Sequence, residues 1–133
     1  MGFADDIAGF AAKTERKMDL AVRKISLKLF SRVILKTPVD TGRARANWQV
    51  SIGATADGTL ELEDKSGTAT ISAATATASA LRAGDVIFLV NNLPYIQRLE
   101  DGYSGQAPAG MVGLSIQEFQ QIADQIGIEL VQI

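Results

Sequence analysis

Apolar residues recur at Met18, Val22, Ile25, Leu29 and Val33, and Pro38 follows closely. Intervals of three and four residues place these side chains on one face of a helix. Leu27, Phe30 and Ile34 widen that face. Phe3, Ile7 and Phe10 extend it upstream, beside Asp5 and Asp6, whose charge suits a helix N-terminus. Proline disfavours helical backbone in the residue before it, so the pattern predicts one helix over about 3–36, ending at Thr37. A stripe of that length has to be covered, which constrains the rest of the chain to form a second layer across it.

The remaining sequence offers that layer. After the turn-forming run Pro38-Val39-Asp40-Thr41-Gly42, Trp48, Val50 and Ile52 alternate with polar residues. They predict a strand over roughly 45–53 with Trp48 facing inward. Asp57-Gly58 signals a hairpin; its second strand, over 58–64 with Leu60 and Leu62, closes at Lys65-Ser66-Gly67. The Ala/Thr/Ser-rich stretch 68–84 reads as loop or as short helix. The preferred reading is a helix from about Ser72 to Ala83, with Arg82 in its last turn and Gly84 as cap. The apolar run between Asp85 and Asn91 predicts a strand buried on both faces. Pro94 suits a first helical position, ahead of Tyr95, Ile96 and Leu99. A loop at 102–111 leads to a helix over about 112–126, its face formed by Val112, Ile116, Phe119, Ala123 and Ile126 and its end set by Gly127. The expected fold is α+β, one domain over 1–133: a long N-terminal helix and a C-terminal helix packed on a mainly antiparallel sheet. Trp48, Pro94 and Tyr95 are expected to be structural, with Asn91 at the corner between them.

The chain has no cysteine and no histidine. Thiolate nucleophiles, disulfides and every Ser-His triad are excluded, and the commonest general base and metal ligand is absent. The expectation is a protein without catalysis, cofactor or metal. No apolar run is long enough to span a bilayer, and the acidic start lacks the order of a signal peptide. Asp40-Thr41-Gly42 matches the active triplet of retroviral-type aspartic proteases. That chemistry needs two aspartates sharing a proton across a dimer axis, within an all-β barrel. Here the triplet follows a long helix and precedes Arg43 and Arg45, so a turn is the preferred reading. Glu100 and Asp101 have no histidine to support a metal or acid–base role. Gly105 to Gly110 precedes a helix, but Pro108 removes an amide and no lysine is present, so a phosphate loop is disfavoured.

Charge is unevenly spread. Lys13 to Arg45 holds ten Lys/Arg against three acids, a local +7; from Asp57 onward three basic residues face ten acids, a local −7. A basic helix can bind nucleic acid, pack on the acidic part of a neighbouring copy, or simply be solvated.

Three stretches together resemble one family. Thr37-Pro38-Val39-Asp40-Thr41-Gly42-Arg43-Ala44-Arg45-Ala46-Asn47-Trp48 is similar to its helix-exit turn. Gly84 to Tyr95, with Asn91-Asn92-Leu93-Pro94-Tyr95, resembles its central strand and Asn-rich corner. Leu99-Glu100-Asp101-Gly102-Tyr103-Ser104-Gly105-Gln106-Ala107-Pro108-Ala109-Gly110 resembles its Glu-x-Gly-x-Ser-x-Gln-Ala-Pro-x-Gly loop before a final helix. The family is the neck, tail-completion and minor-tail (Z-like) group of long-tailed bacteriophages. The match is collinear over about Thr37 to Ala123 and departs at the hairpin tip and the Ala/Thr-rich segment.

The resemblance implies a structural subunit of the head–tail connector, a neck or tail-completion ring joining the filled capsid to the tail tube. Six copies are favoured and twelve are the alternative. It further implies contacts with head-closure and tail-terminator or tail-tube proteins, passage of DNA without specific recognition, and a place in the virion after synthesis in the host bacterial cytoplasm. A tail terminator is the runner-up, and a nucleic-acid-binding module is the alternative from another class. The candidate ring interface pairs Arg23, Lys28, Arg32 and Lys36 with Glu61, Glu63, Glu100 and Asp101 of the next copy. The candidate axial contact is the loop Gly102, Tyr103, Ser104, Gly105, Gln106, Ala107 and Pro108. Asp40, Thr41 and Gly42 are expected to shape the turn.

Overall fold

The computed structural model describes residues 2–131. The long helix forms as its pattern predicts: α1 spans Phe3–Lys36, with Asp5 and Asp6 in its first turn. It packs against α3 (Thr68–Ala78), α5 (Val112–Gln117) and α6 (Phe119–Val131). The other elements are α2 (Arg43–Ala46), β1 (Gln49–Ile52), β2 (Ile87–Val90) and α4 (Ile96–Glu100). The fold is α+β, with helices at both ends of the chain and a small antiparallel sheet between them. Phe30, Val33 and Ile34 are buried, and Val33 and Ile34 share a core with Trp48, Ala107 and Met111, against which Ile71, Leu89, Ile96, Leu99 and Val112 pack.

The sheet is smaller than the hairpin reading predicts. β1 pairs with β2, in the register Gln49↔Val90, Val50↔Leu89, Ser51↔Phe88 and Ile52↔Ile87. Residues 58–64 form no strand. Side chains meet the backbone there at Leu60 and Gly58: the Asn47 amide donates to the Leu60 carbonyl (3.1 Å) and accepts the Leu60 N–H (2.7 Å), and Gln49 donates to the Gly58 carbonyl (3.0 Å). Alternation of Leu60 and Leu62 therefore marks an extended segment held by amides, with Leu62 facing solvent. Trp48 is buried as expected but precedes β1, so the predicted 45–53 strand is both shorter and later. β2 is half-buried throughout and Val86 is exposed, which corrects the expectation of burial on both faces.

Two helices also shift. α3 starts four residues before the predicted Ser72 and ends at Ala78, so Arg82 and Gly84 lie beyond it. Its start is fixed by Asp64, whose carboxylate accepts the N–H of Gly67 (3.1 Å) and the N–H and hydroxyl of Thr70 (both 2.8 Å). Thr70, Ala74 and Ala78 form its buried face, and small side chains there suit close approach of the helix to its neighbours.

The predicted 112–126 helix is broken at Glu118 and runs through Gly127 to Val131. Met111, Ser115, Ile122 and Ile126 are buried, while Ile116 and Phe119, expected to face inward, are exposed. The chosen face includes Glu118, a residue that a hydrophobic pattern excludes. Arg32 and Lys36 of α1 reach across to it, with Lys36 at 2.9 Å, so the charge is matched where the helices meet.

Candidate functional site

The three family-like stretches meet at one junction where α1 ends. Thr37 leaves the helix in extended backbone ahead of Pro38. Its hydroxyl donates to the Val33 carbonyl (2.7 Å) and accepts the indole N–H of Trp48 (2.8 Å). The Arg45 guanidinium donates to the carbonyls of Leu35 (2.7 Å), Thr37 (3.0 Å) and Lys65 (2.7 Å). A cation at the open carbonyls of a helix C-terminus satisfies otherwise orphaned acceptors and opposes the negative end of the helix dipole.

Gly42 then turns the chain into α2. Its φ is +91°, and a Cβ there would stand 2.7 Å from the Lys65 nitrogen. Its carbonyl accepts the N–H groups of Ala46 and Asp64, both at 3.0 Å. The Thr41 hydroxyl accepts the Arg43 N–H (3.2 Å), so Thr41 and Gly42 shape the turn while Asp40 lies exposed beside it.

The second stretch joins through Asn91, which donates from its amide to the Ala44 carbonyl (2.9 Å) and accepts the Leu93 N–H (3.2 Å). The third joins through Gln106. Its side-chain amide accepts the Val39 N–H (2.8 Å) and donates to the Val39 carbonyl (3.0 Å), pairing with the backbone as a strand would.

Glu100 closes the arrangement. One carboxylate oxygen accepts the N–H groups of Met111 (3.0 Å) and Val112 (2.8 Å), and the other accepts that of Gly113 (3.0 Å). These are the orphan donors at the start of α5. Burial works against the Glu100 anion, but the bonds from Gly113, Val112 and Met111 outweigh it and hold the carboxyl below the usual range. At Asp64, burial is likewise outweighed by bonds from Thr70, Gly67 and Ser66.

A lowered folded-state value means stabilisation that is complete above the unfolded value and lost as pH falls through the folded one. Urea midpoints should therefore hold through neutral pH and decline below about pH 4. Glu100→Gln should make that acid limb shallower; an unchanged limb would show that the cap is not coupled to folding.

The turn, α4 and the loop enclose a shallow groove of about 370 Å³, bordered by Pro38, Asp40, Arg43, Tyr95 and Tyr103. Tyr103 is 78% exposed and stacks near the Arg98 guanidinium, 5.6 Å from its ring centre. Pro94 and Tyr95 are exposed too, and α4 begins only at Ile96, so Pro94 does not hold the first helical position; Tyr95 borders the groove. The Asp40 triplet sits between helices rather than in a β-barrel. Among the described residues no group of three or more His, Cys, Asp or Glu is placed to hold a metal ion, and no helix is long and apolar enough to cross a membrane.

The predicted ring and loop residues are distributed unevenly. Arg23 donates to the Leu81 carbonyl (2.6 Å), and Arg32 and Lys36 pair with Glu118. Lys28, Glu61, Glu63 and Asp101 are exposed; Glu61 lies 3.8 Å from Arg43, and Asp101 accepts the Gln97 amide (3.0 Å). Glu100 is engaged within the fold as the cap of α5.

The 102–111 loop is pinned to the rest of the fold. Ala107 is core and Gln106 is a clamp, while Tyr103, Gly105, Gln106, Pro108 and Ala109 are exposed. Deleting its tip would damage the fold as well as any contact. Arg45, Asn47, Asp64 and Glu118 carry much of the junction and were not singled out in the sequence. Polar residues bonded to backbone far away leave no periodic trace. No family model, no curated protein and no solved structure matches the chain.

Proposed function

We propose that the chain is a structural subunit of the head–tail connector of a long-tailed phage, acting without catalysis in a neck or tail-completion ring. The observation that supports this reading is the convergence of the three family-like stretches on one junction. Asn91, Gln106, Glu100 and Arg45 use their polar groups to hold backbone there. Residues kept for holding one piece of backbone against another serve architecture, and a rigid surface is what a ring subunit has to present to its neighbours. The nucleic-acid reading loses ground, because Arg23, Arg32 and Lys36 of the basic helix are engaged within the fold.

Loss of the gene in its phage should give filled heads and finished tails that fail to join, with joining restored by adding purified protein. Tails of uncontrolled length would point instead to the tail terminator role. Joined, infectious particles lacking the protein would overturn both. Asp40→Asn should leave fold and joining unchanged, since the exposed carboxylate holds no part of the turn; peptide cleavage by the wild type that disappears in this variant would establish a protease.

A further inference from the structure

We propose that the first part of α1 is a dimerisation arm, which pairs antiparallel along residues 4–18 with the same segment of a second copy of this chain. The inference goes beyond the connector reading and does not depend on it: a two-fold contact closes on two copies, whereas a ring needs two different surfaces joined head to tail.

At 34 residues α1 is about 51 Å long, whereas a compact chain of 133 residues has a radius of gyration of about 14 Å. Its far end therefore overhangs. The helix is tied to the rest of the fold from Asp19, whose carboxylate accepts the Ala83 N–H (2.8 Å). Before that point Ala4 to Gly9, Lys13 to Arg16 and Met18 are exposed. Ile7 and Met18 are 52% and 54% exposed. Their spacing along the chain sets them within about 20° of each other around the helix axis. A stretch of helix this short is marginal in water until an apolar face is covered.

The charges beside this stripe select the occupant. Asp6, Lys13 and Lys17 lie on one flank of it, at helical spacing. Asp6 and Lys13 are exposed, Lys17 is half-buried, and among the described residues none of the three is in an ion pair. In an antiparallel pair of helices each flank lies against the same flank of the partner, run in reverse. Asp6 of each copy then meets Lys13 and Lys17 of the other, so one charge match is made twice. A parallel pair would instead bring the two acidic tips together. The opposite flank carries Ala4, Ala8 and Ala11, small enough for close approach, and Glu15 meets no second acid there. Asp5 and Arg16 lie on the side away from the partner.

The full chain, followed by sedimentation equilibrium across concentration, should pass from one copy to two. The paired stretch is small for a protein interface, so the midpoint should be micromolar rather than nanomolar. Ile7→Asp should shift it roughly 10- to 100-fold toward higher concentration, with an unchanged unfolding midpoint in dilute solution because Ile7 lies on the overhang. Asp6→Lys should weaken the pair, and so should Lys13→Asp with Lys17→Asp. The three changes combined in one chain should restore it, because each reversed flank again meets its opposite. The chain has no cysteine, so Ala11→Cys, close to the two-fold axis, should form a disulfide-linked dimer and Ala4→Cys should not. A wild type that stays one copy up to about 1 mM overturns the pairing. So does association indifferent to Ile7→Asp, or Ala4→Cys that cross-links as readily as Ala11→Cys. Any of these leaves the connector reading standing. A larger particle that Ile7→Asp halves in mass supports the arm and adds a ring surface beside it.

Discussion

Trp48→Ala is expected to lower the free energy of unfolding by about 3–5 kcal/mol, the range for truncating a buried aromatic. The indole is 8% exposed and packs in the core with Val33, Ile34, Ala107 and Met111. Those residues come from α1 and from the loop before α5, so the ring joins segments that are far apart in sequence. Its N–H donates to Thr37 at the exit of α1 (2.8 Å). Trp48→Phe retains much of the buried area and leaves the Thr37 hydroxyl bonded to Val33, so it should cost less, about 1–2 kcal/mol. Urea denaturation followed by circular dichroism reads both, since the chain's single tryptophan is lost in each variant. A loss under about 1 kcal/mol for Trp48→Ala would place the ring outside the core.

Trp48 also shows what the sequence discloses and what it hides. Its burial follows from size and from the apolar residues around it, and the long helix follows from a stripe that Pro38 cuts off. Both depend on neighbours close in sequence. The partner of β1 does not: an alternating segment at 58–64 lies nearer than Ile87–Val90, and the latter wins because its apolar side chains can share the core through Leu89. The face of the C-terminal helix is a similar case. Glu118 is disqualified by its own charge and admitted only because Arg32 and Lys36 meet it across 86 and 82 residues. At the junction, the Asp-Thr-Gly turn was legible in its glycine, whereas the roles of Arg45, Asn47 and Gln106 rest on bonds to distant backbone.

Gly110→Ala is expected to be comparably damaging, by a different route. Gly110 ends the pinned loop with φ at +80°, and a Cβ would run into the Glu100 carbonyl oxygen and stand 2.8 Å from its carboxylate. Left-handed backbone in a non-glycine residue costs about 1–3 kcal/mol, and forcing a methyl group into filled space costs about 1–3 kcal/mol more. The clash falls on the residue whose carboxylate holds the first N–H groups of α5, so relieving it by moving Glu100 exposes those donors. Gly105→Ala, in the same loop, meets nothing within 4 Å and should be nearly neutral. The two variants separate local crowding from any general intolerance of the loop. The cap also predicts coupling: in Glu100→Ala the carboxylate is gone but its carbonyl remains, so adding Gly110→Ala should cost less than in the wild type while still costing the backbone strain. Full additivity in denaturation would mean that the two residues do not share one contact.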